Sequence, residues 1–452
     1  MYVVYSFLLT VGFLLLLPRF AIDAFRSGKY VTGLRERLGR IPKLDSSQAV
    51  IWLHCVSVGE TEAARPLVRE LREQLPSFQL VVSTTTVTGQ QVARHAFERD
   101  AAAIFYFPID WPWTVRRVLN TMSPAAVVVM ETELWPNLLR ECGRRAIPVA
   151  LVNGRLSPKS YRRYRWIRGF MRRVLSNLTV SLMQSDEDAE RIAALGLENH
   201  RIRIVGNMKF DSAPLSAVDG DLTSDLARRF GFGSGQPLIV AASTHSPEET
   251  AIIEAFRKIT EHDQAARLLI APRHPERFDE VAKLLAESGF RWSRRTAKPS
   301  GSDATSAIIL LDSIGELRAA FQLADIAFLG GSLIPHGGQN VLEPAAQGVC
   351  VITGPHTHNF AAITRALLAE DALVQLPESS LNEASKALAE TIAGLLRDDS
   401  GRQAIGNRAR NVCEQNRGAT QRTAEIIVNL LQTPSSISEV VPFTAHQLTA
   451  AK

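Results

Sequence analysis

The chain has 452 residues, of which 46% are hydrophobic and 21% are charged, and 51 Lys and Arg residues outnumber 46 Asp and Glu residues. At roughly 100–200 residues per domain, this length predicts two domains or more. The composition excludes a disordered chain, a collagen-like repeat, a coiled coil and a multipass membrane protein. The four cysteines are widely spaced without a CxxC pair, so neither a zinc site nor a disulfide scaffold is indicated.

The chain begins with an apolar segment, residues 2–17, that contains no charged residue. It is slightly shorter than the ~20 residues of a spanning helix, but more apolar on every side than most buried helices. Seven basic and two acidic residues follow between Arg19 and Lys43. This asymmetry predicts a membrane anchor over residues 1–20 with the body of the protein on the cytoplasmic side. A cleaved signal peptide is less consistent with the segment, because no basic n-region precedes the apolar run. A soluble protein whose first helix packs on a core remains the alternative.

A second basic segment, between Arg155 and Arg173, contains eight Arg and Lys residues and no acidic residue. Aromatic residues are interleaved with them, which is typical of a helix on an anionic membrane surface. No nucleic-acid-binding motif accompanies the segment, and a solvated helix face is the competing interpretation. We expect Arg162, Arg163 and Arg165 to contact anionic lipid or a lipid-linked phosphate.

From about residue 50, short apolar runs rich in β-branched residues alternate with helical stretches. This alternation predicts parallel sheets with crossover helices on both faces. The first series of predicted strands comprises residues 50–56, 80–85, 103–107, 126–130, 148–152, 180–184 and 202–206, and the second comprises 238–243, 267–272, 307–312, 325–331 and 349–354. Residues 291–306 have the composition of an exposed loop.

The two series predict two Rossmann-like α/β domains in tandem. The first covers residues 21–212 and the second covers 237–432, with a linker rich in Ser, Asp, Gly and Pro at 213–236. Residues 433–452 form a predicted mobile tail. Open parallel sheets bind ligands at the carboxyl ends of their strands, so we expect ligands in the crevice between the domains. Nucleotide-sugar glycosyltransferases use this architecture, although fold alone does not establish function.

Three motifs follow predicted strands of the first domain. Glu60 closes a Ser-Val-Gly-Glu sequence, Glu131 begins Glu-Thr-Glu-Leu-Trp-Pro, and Lys209 lies in Gly-Asn-Met-Lys-Phe-Asp. Two strand-end carboxylates could remove a proton and orient an acceptor, and a lysine could neutralise a developing negative charge. Acidic residues also simply stabilise the first turns of helices, and a surface lysine needs no function. Whether Glu131 or Glu133 faces the site is left open.

Three further motifs follow predicted strands of the second domain. Arg273, after Pro272, stands before a predicted helix, whose first amides would form an anion site with the guanidinium. The turn at 314–316 has the same placement. A glycine-rich stretch over residues 330–344 permits close approach of backbone to a phosphate, and Glu343 within it could bind ribose hydroxyls. The stretch is neither a Walker loop nor GxGxxG, and a generic mobile loop is the alternative.

Other candidates have simpler explanations. The Asp-Glu-Asp sequence that begins at Asp186 superficially matches a metal-binding DxD motif. Because Ser185 and Asp188 are spaced as a helix N-cap, we assign no metal. His54 and His336 are possible bases, although a histidine beside glycines more often positions a loop.

The chain closely resembles the 3-deoxy-D-manno-octulosonic acid (Kdo) transferases of lipopolysaccharide synthesis in six motifs: SVGE, METELWPN, GNMKFD, APRHPERF, DSIGELR and GGSLIPHGGQNVLEPAAQG. The resemblance covers nearly the whole chain, including the N-terminal anchor. It implies a GT-B type enzyme that transfers Kdo from CMP-Kdo to a lipid A precursor, lipid IVA, with inversion and without a metal or other cofactor. It also implies a location at the cytoplasmic face of the inner membrane.

The resemblance further implies roles for individual residues. Glu60 acts as the proton acceptor, and Glu131 and Lys209 stabilise the transition state. The first domain binds the acceptor, and the second binds the nucleotide. CMP contacts three segments, namely Pro272 and Arg273, the turn of Ile314, Gly315 and Glu316, and the stretch of Asn340, Val341, Leu342 and Glu343.

The residues themselves are consistent with this function. CMP-Kdo has a single bridging phosphate, so basic side chains and helix N-termini can replace a divalent cation. An acceptor with phosphates and acyl chains suits the anchor and the basic segment, and no nucleic-acid partner is expected. Two alternatives stay open, namely another two-domain glycosyltransferase that uses a UDP-sugar, and a non-catalytic membrane-anchored nucleotide-binding protein.

Overall fold

The computed structural model describes residues 1–27, 32–45, 47–211, 220–233 and 235–432. The chain forms two compact units, each with a seven-stranded sheet. Unit 1 comprises Met1–Ser212 and Arg417–Lys452, and unit 2 comprises Ala213–Asn416. The prediction of two parallel α/β sheets is confirmed.

The strands of unit 1 are all parallel to their neighbours. They are β1 Ala49–His54, β2 Phe78–Thr84, β3 Ala103–Tyr106, β4 Ala126–Met130, β5 Val149–Gly154, β6 Val180–Met183 and β7 Ile202–Ile204. Their order in the sheet is β3-β2-β1-β4-β5-β6-β7. The chain therefore reverses direction across the sheet between β1 and β4, which is the switch point where open α/β sheets bind ligands.

The helices of unit 1 connect these strands. They are α1 Tyr2–Ser27, α2 Leu34–Arg37, α3 Val58–Gln74, α4 Val87–Phe97, α5 Pro112–Met122, α6 Pro136–Arg144, α7 Pro158–Trp166, α8 Arg168–Leu175 and α9 Asp186–Ala194, with short 3₁₀ helices at Asn199–Arg201 and Met208–Phe210. Side-chain caps begin several of them. The Ser185 hydroxyl accepts the Asp188 N–H at the start of α9, as its spacing predicts.

Helices cover both faces of the sheet, so its central strands read as continuous apolar runs. Every residue of β4, AVVVM, is buried. Alternate residues of β1 enter different cores: Trp52 packs with the residues on one face, and Ile51 and Leu53 pack with those on the other.

The sheet of unit 2 repeats this arrangement. Its strands are β8 Leu238–Thr244, β9 Arg267–Pro272, β10 Trp292–Arg294, β11 Ile308–Leu310, β12 Ile326–Leu329, β13 Cys350–Thr353 and β14 Val374–Gln375. The order is β10-β11-β9-β8-β12-β13-β14, with all neighbours parallel. The switch point lies between β8 and β12.

The helices of unit 2 follow the strands in the same alternation. They are α10 Gly220–Phe230, α11 Glu248–Thr260, α12 Phe278–Glu287, α13 Leu317–Leu323, α14 Leu342–Ala346, α15 Ala361–Ala369, α16 Leu381–Arg397 and α17 Asp399–Gln415, with 3₁₀ helices at Pro275–Arg277 and Asp303–Thr305. The last helix of the chain, α18 Ala419–Gln432, belongs to unit 1.

Strand β10 lies within the segment 291–306 that we expected to be an exposed loop. It pairs with β11 at the edge of the sheet, and the buried Ser293 hydroxyl donates to Asp303 at 2.9 Å. A three-residue edge strand needs no apolar run, because one of its edges is unpaired and its buried side chain, Ser293, is hydrogen-bonded. The composition therefore indicated a loop where the structure forms a short strand.

Helix α10 lies within residues 213–236, which we expected to be a linker. Its Leu226 and Phe230 are fully buried, and the Arg229 guanidinium donates to Asp303 at 2.9 Å. The helix is therefore an integral part of unit 2, and polar residues on its outer face explain the linker-like composition. Residues 213–219 and 234, and the predicted tail at 433–452, lie outside the described residues.

Helix α18 packs in unit 1, whereas the sequence placed residues 237–432 in one domain. The Asp211 carboxylate accepts the N–H groups of Gly418 and Thr420, at 2.8 and 2.6 Å, just before and within the first turn of α18. Four of its side chains join the core on one face of the sheet, namely Ala419, Ala424, Ile427 and Leu430. The chain thus crosses to unit 2 and returns.

Helix α1 contains the predicted anchor. Its first 18 residues, Tyr2–Arg19, are long and apolar enough to cross a membrane. One side of this stretch nevertheless contacts unit 1, as described below.

Candidate functional site

Glu60 and Glu131 lie on either side of the switch point of unit 1. Glu60 is in the first turn of α3, directly after β1, and Glu131 follows the last residue of β4. The two strands are hydrogen-bonded neighbours, with His54 opposite Val129. The sheet therefore brings together two acidic motifs that are about 70 residues apart in sequence.

Glu60 is only 6% exposed. Its carboxylate accepts the Val56 N–H at 2.7 Å and the Ser57 hydroxyl at 3.0 Å. Burial raises the pKa of Glu60 to about 7, the bonds from Val56 and Ser57 oppose the rise, and the nearby charges of Glu131 and Glu133 add to it. A carboxyl group that titrates near neutral pH can accept a proton from a substrate and release it again.

Glu131 has a left-handed backbone, with φ at 51°. Non-glycine residues rarely adopt this conformation, and in many proteins it occurs at functional sites. The Glu131 carboxylate pairs with Arg155 at 2.8 Å and with Lys209 at 3.3 Å. Of the two candidate carboxylates in this motif, it is Glu131 that contacts Lys209, whereas burial and the charge of Glu131 raise the pKa of Glu133.

Lys209 lies in a 3₁₀ turn that two asparagines hold in place. The Asn207 side chain accepts the Lys209 N–H at 3.0 Å, and the Asn153 side chain accepts the Met208 N–H at 3.1 Å. Asn153 is fully buried and has φ at 52°. Asn153 was not predicted from the sequence, and Arg155 was assigned there only to the basic segment, although an asparagine at the end of a predicted strand is itself a signal for a left-handed position.

His54 has a packing role rather than the base role considered from the sequence. It is fully buried, its Nδ1 lies 2.9 Å from the Ser83 hydroxyl, and its ring stacks on Phe107 at 4.0 Å between centroids. Burial lowers its pKa to about 3, so the ring stays neutral near neutral pH.

The basic segment forms two helices, α7 and α8, that meet at Ile167. Tyr161, Tyr164 and Phe170 pack partly against the core of unit 1, whereas the three arginines singled out in the sequence, Arg162, Arg163 and Arg165, are exposed. The segment is therefore amphipathic, with these three aromatic side chains inward and the guanidinium groups outward, whereas Trp166 is 91% exposed.

The predicted nucleotide segments of unit 2 all follow the carboxyl ends of its strands, on the same side of the sheet. Pro272 ends β9, the turn 314–316 follows β11, and the glycine-rich stretch begins at Gly330, directly after β12. These strands and β8 are consecutive in the sheet, so their carboxyl ends lie side by side. This side of the sheet contains the switch point between β8 and β12.

The glycine-rich stretch is fixed by a buried carboxylate that the sequence analysis did not identify. Glu248 accepts four backbone N–H groups at 2.6–3.0 Å, from His245, Gly331, Ser332 and Leu333. A Cβ atom at Gly330 would lie 2.6 Å from the backbone of Thr244. Gly330 is therefore required for packing against β8, in addition to any approach of a phosphate.

Glu343 and Asn340 are hydrogen-bonded to each other at the start of α14. The Asn340 amide donates to the Glu343 carboxylate at 3.2 Å and accepts the Leu342 N–H at 3.1 Å. Burial raises the pKa of Glu343, and the charges of Arg318 and Arg273 act against this rise. The two predicted nucleotide residues Arg273 and Glu343 are thus close enough to interact electrostatically.

Glu316 differs from the other predicted nucleotide residues because its carboxylate is already paired. Arg295 binds it with two bonds, at 2.7 and 3.0 Å, and Ser313 donates a third at 2.7 Å. Next to it, Gly315 has φ at 92° and Ile314 is 82% exposed. This turn can present backbone groups and Ile314 to a ligand, whereas the Glu316 side chain shapes the turn.

Three histidines lie together at the carboxyl ends of β8, β9 and β12. The His245 ring is centred 4.2 Å from His336 and 5.2 Å from His274, and its Nε2 lies 3.0 Å from the Gln339 amide. Burial, followed by the neighbouring His336 and His274, lowers the pKa of His245 to about 4. The sequence analysis did not single out His245.

Comparison with known proteins identifies whole-length relatives. A family model described as "3-Deoxy-D-manno-octulosonic-acid transferase (kdotransferase)" matches residues 32–212. The 3-deoxy-D-manno-octulosonic acid transferase of Haemophilus influenzae is 35% identical over 95% of this chain and 98% of its own length. The enzyme of the same name from Bordetella pertussis is 33% identical over 85% of this chain and 88% of its own length.

Solved structures with little sequence similarity share the fold. A glycosyltransferase from Rickettsia africae has a TM-score of 0.56 and 12% identity, and covers 86% of this chain and 100% of its own. A UDP-GlcNAc 2-epimerase from Neisseria meningitidis has a TM-score of 0.57 and 11% identity, and covers 84% of this chain and 100% of its own. The two proteins differ in activity, so this likeness supports the fold alone.

Proposed function

Because this chain belongs to the 3-deoxy-D-manno-octulosonic acid transferase family of glycosyltransferases, we propose that it transfers Kdo from CMP-Kdo to a lipid A precursor, lipid IVA. The observation that carries the proposal is the switch point of unit 1. There a buried carboxyl group with a pKa of about 7, Glu60, lies beside the ion pair of Glu131 and Lys209.

Glu60 is the proposed general base. A sugar hydroxyl has too high a pKa to attack unassisted near neutral pH, so its proton must be accepted as the new bond forms. The acceptor oxygen bonds to the anomeric carbon, the bond from that carbon to the phosphate oxygen of CMP breaks, and the proton passes to Glu60. Attack opposite the leaving CMP inverts the configuration. The raised pKa makes Glu60 a stronger base than an exposed glutamate, although it must be deprotonated to act.

Glu131 and Lys209 are the proposed transition-state stabilisers. Lys209 supplies a positive charge for the leaving phosphate, and the negative charge of Glu131 stabilises the positive charge that develops at the anomeric centre. Their contact at 3.3 Å and the strained φ of Glu131 support fixed positions for both groups before substrate binds.

Unit 2 is the proposed nucleotide-binding unit. Arg273 would contact the phosphate, Glu343 would accept the ribose hydroxyls, and the turn 314–316 would contribute its backbone. Asn340 orients Glu343 by the bond at 3.2 Å. Basic side chains can neutralise the single phosphate of CMP without a divalent cation, and we propose a metal-independent reaction on this ground.

The proposed location is the cytoplasmic face of the inner membrane. The apolar stretch of α1 and the exposed arginines of α7 support contact with an anionic lipid surface. An acceptor with acyl chains and phosphates lies in the same surface, so the membrane and the acceptor would be bound together.

Product analysis by mass spectrometry tests the proposal. The purified full-length protein is incubated with CMP-Kdo and lipid IVA, with and without EDTA, and in parallel with UDP-sugars. We expect Kdo to be added to lipid IVA from CMP-Kdo only, at the same rate in EDTA. Transfer from a UDP-sugar instead would favour the other glycosyltransferase function, and CMP binding without any product would favour a non-catalytic nucleotide-binding protein.

A further inference from the structure

The apolar stretch of α1 has two different sides. Half-buried residues recur at the spacing of a single helix face at Tyr2, Tyr5, Ser6, Leu9, Thr10 and Phe13, and Val11 and Gly12, which lie off this face, are half-buried as well. The opposite side is exposed and carries large apolar residues, namely Val3, Val4, Phe7, Leu8, Leu14 and Leu15. The uncharged polar side chains of the stretch, namely Tyr2, Tyr5, Ser6 and Thr10, all belong to the half-buried side of the helix, which we call the docked side.

The docked side is hydrogen-bonded to unit 1 along its length. The Tyr2 hydroxyl donates to the carbonyl of Arg173 at 3.0 Å. One turn further, Ser6 accepts the amide of Asn137 at 3.0 Å. After another turn, Thr10 accepts the indole N–H of Trp111 at 3.1 Å. These bonds give the polar groups of an otherwise apolar helix partners outside the helix.

Aromatic contacts reinforce these bonds at both ends. The Tyr2 ring lies edge-on to Phe170 with centroids 5.4 Å apart, and the Arg140 guanidinium lies 4.7 Å from the centre of the same Tyr2 ring. At the other end, Phe13 meets Trp111 edge-on at 5.1 Å. Edge-on aromatic pairs and cation–π contacts of this kind are stabilising beyond the apolar area that they bury.

A spanning orientation is incompatible with these contacts. From Tyr2 to Phe13 the helix rises about 17 Å, more than half of the roughly 30 Å hydrocarbon core of a bilayer. If α1 crossed the bilayer while docked, Arg140 and Arg173 near its first residue would have to lie in or beyond the hydrocarbon. Charged groups and irregular backbone are strongly disfavoured there. Either the helix spans and these contacts are lost, or it lies along unit 1.

We propose that α1 lies along unit 1 as a fixed interfacial helix, and that its exposed apolar side enters one leaflet of an anionic bilayer. Trp113, which is 50% exposed and stacks on Trp111 at 5.9 Å, extends this apolar surface beyond the helix. The exposed arginines of α7 and α8 lie on both sides of Phe170 in the chain, and Phe170 contacts Tyr2 and Tyr5. An apolar helix bordered by guanidinium groups is complementary to a lipid surface with acidic head groups. The inference rests on the proposed membrane location, but not on the proposed reaction.

Cysteine cross-linking in isolated membranes tests the docked arrangement. The double variant Ser6→Cys with Asn137→Cys places thiols where the native side chains are hydrogen-bonded, and the four native cysteines are buried. We expect mild oxidation to cross-link this pair. The matched control, Phe7→Cys with Asn137→Cys, moves one thiol to the exposed side and should give a cross-linked fraction several-fold lower. Equal or negligible cross-linking of both pairs in the folded, membrane-bound protein would overturn the proposal.

A second measurement does not depend on the substitution at Asn137. An epitope tag is placed before Met1 of the otherwise native chain, and sealed inside-out membrane vesicles are treated with protease. A helix that lies on the surface leaves the tag on the same side as the body, so we expect both to be digested. A protected tag beside a digested body would show that α1 spans.

Transferase activity of the cross-linked membranes separates the two proposals. With α1 docked during turnover, cross-linking should leave the Kdo transfer rate within about two-fold of the untreated double variant. If the variant cross-links but neither the variant nor the native membranes transfer Kdo, the proposed reaction is contradicted. The docked position of α1 is then still supported.

Discussion

Glu60 combines a structural and a proposed chemical role in one carboxylate. As the third residue of α3 it caps the turn through Val56 and Ser57, which is the ordinary explanation for an acidic residue there. Burial beside Glu131 and Glu133 raises its pKa to about 7, which a cap alone does not require. A raised pKa is what a general base near neutral pH requires, but a buried structural carboxylate such as Asp110 shows one too, so activity measurements must separate the two roles.

Replacing Glu60 by Gln should abolish most Kdo transfer. General bases typically supply 10²–10⁴-fold of rate, so we expect a loss of that order in kcat/KM. CMP affinity should stay unchanged, because the proposed nucleotide residues belong to unit 2. Single-turnover assays and calorimetric CMP titration measure the two effects. Substantial turnover by the folded Glu60→Gln protein would exclude Glu60 as the essential base.

The pH at which transfer activity rises should depend on the negative charge of the residues near Glu60. Glu60 must be deprotonated to accept a proton, so activity should rise with pH through about 7. The charge of Glu133 raises the pKa of Glu60, so Glu133→Gln should move this rise to lower pH. Glu62→Gln, which alters a half-buried residue of α3 that pairs with Arg65 rather than with Glu60, is the matched control and should leave the profile unchanged. An unmoved profile in Glu133→Gln would argue that another group titrates.

Replacing Glu343 by Gln should weaken CMP binding. A carboxylate that accepts ribose hydroxyls makes charge-assisted bonds worth about 1.5–3 kcal/mol each, so the Kd should rise roughly 10- to 150-fold by calorimetry. Glu378→Gln makes the same change of charge at an exposed position of unit 2 and should have no effect. Equal affinity of the Glu343→Gln protein would place the ribose elsewhere.

At the scale of elements, α7 and α8 present a positively charged face. Tyr161, Tyr164 and Phe170 hold them on the core of unit 1, so the outward arginines are fixed on a folded surface. A fixed row of guanidinium groups loses less entropy on binding phosphates than a flexible tail would lose.

Replacing Arg162, Arg163 and Arg165 together by Gln should raise the KM for the lipid acceptor without changing CMP affinity. The defect should resemble that of the native protein at high salt, because exposed charges are screened over about 8–10 Å near physiological ionic strength. Replacing three exposed arginines of α3, namely Arg65, Arg69 and Arg72, is the matched control. An equal effect of both triple variants would indicate net charge rather than this surface.

At the scale of the whole molecule, the return of the chain makes unit 1 depend on the C-terminal helix. Ile427 is fully buried in the core of unit 1. We expect Ile427→Ala to destabilise unit 1 by about 2–5 kcal/mol, from lost burial and a residual cavity.

Thermal unfolding with and without CMP assigns this effect to a unit. Bound CMP should raise the transition of unit 2 by mass action, and Ile427→Ala should lower the other transition. Asn429→Ala, at an exposed position of the same helix, should change stability by less than about 0.5 kcal/mol. A lowered CMP-sensitive transition in Ile427→Ala would contradict the assignment of α18 to unit 1.

The sequence by itself determined the parallel sheets, the strands other than β10 and β14, and the positions of the candidate residues. Strands buried on both faces must be apolar throughout, so β4 and β8 are visible as continuous runs. Ligand-binding residues of such sheets follow the carboxyl ends of strands, so Glu60, Glu131 and Arg273 could be identified without coordinates.

Only the tertiary structure decided which of these groups meet and what the long helices contact. Glu131 rather than Glu133 pairs with Lys209, because the left-handed backbone at Glu131 sets the direction of its side chain. Glu248 fixes the glycine-rich stretch from more than 80 residues away, and α18 returns to unit 1. The docked side of α1 is likewise invisible in an almost wholly apolar run. Each of these depends on partners distant in sequence, and local periodicity records that a face is buried but not what buries it.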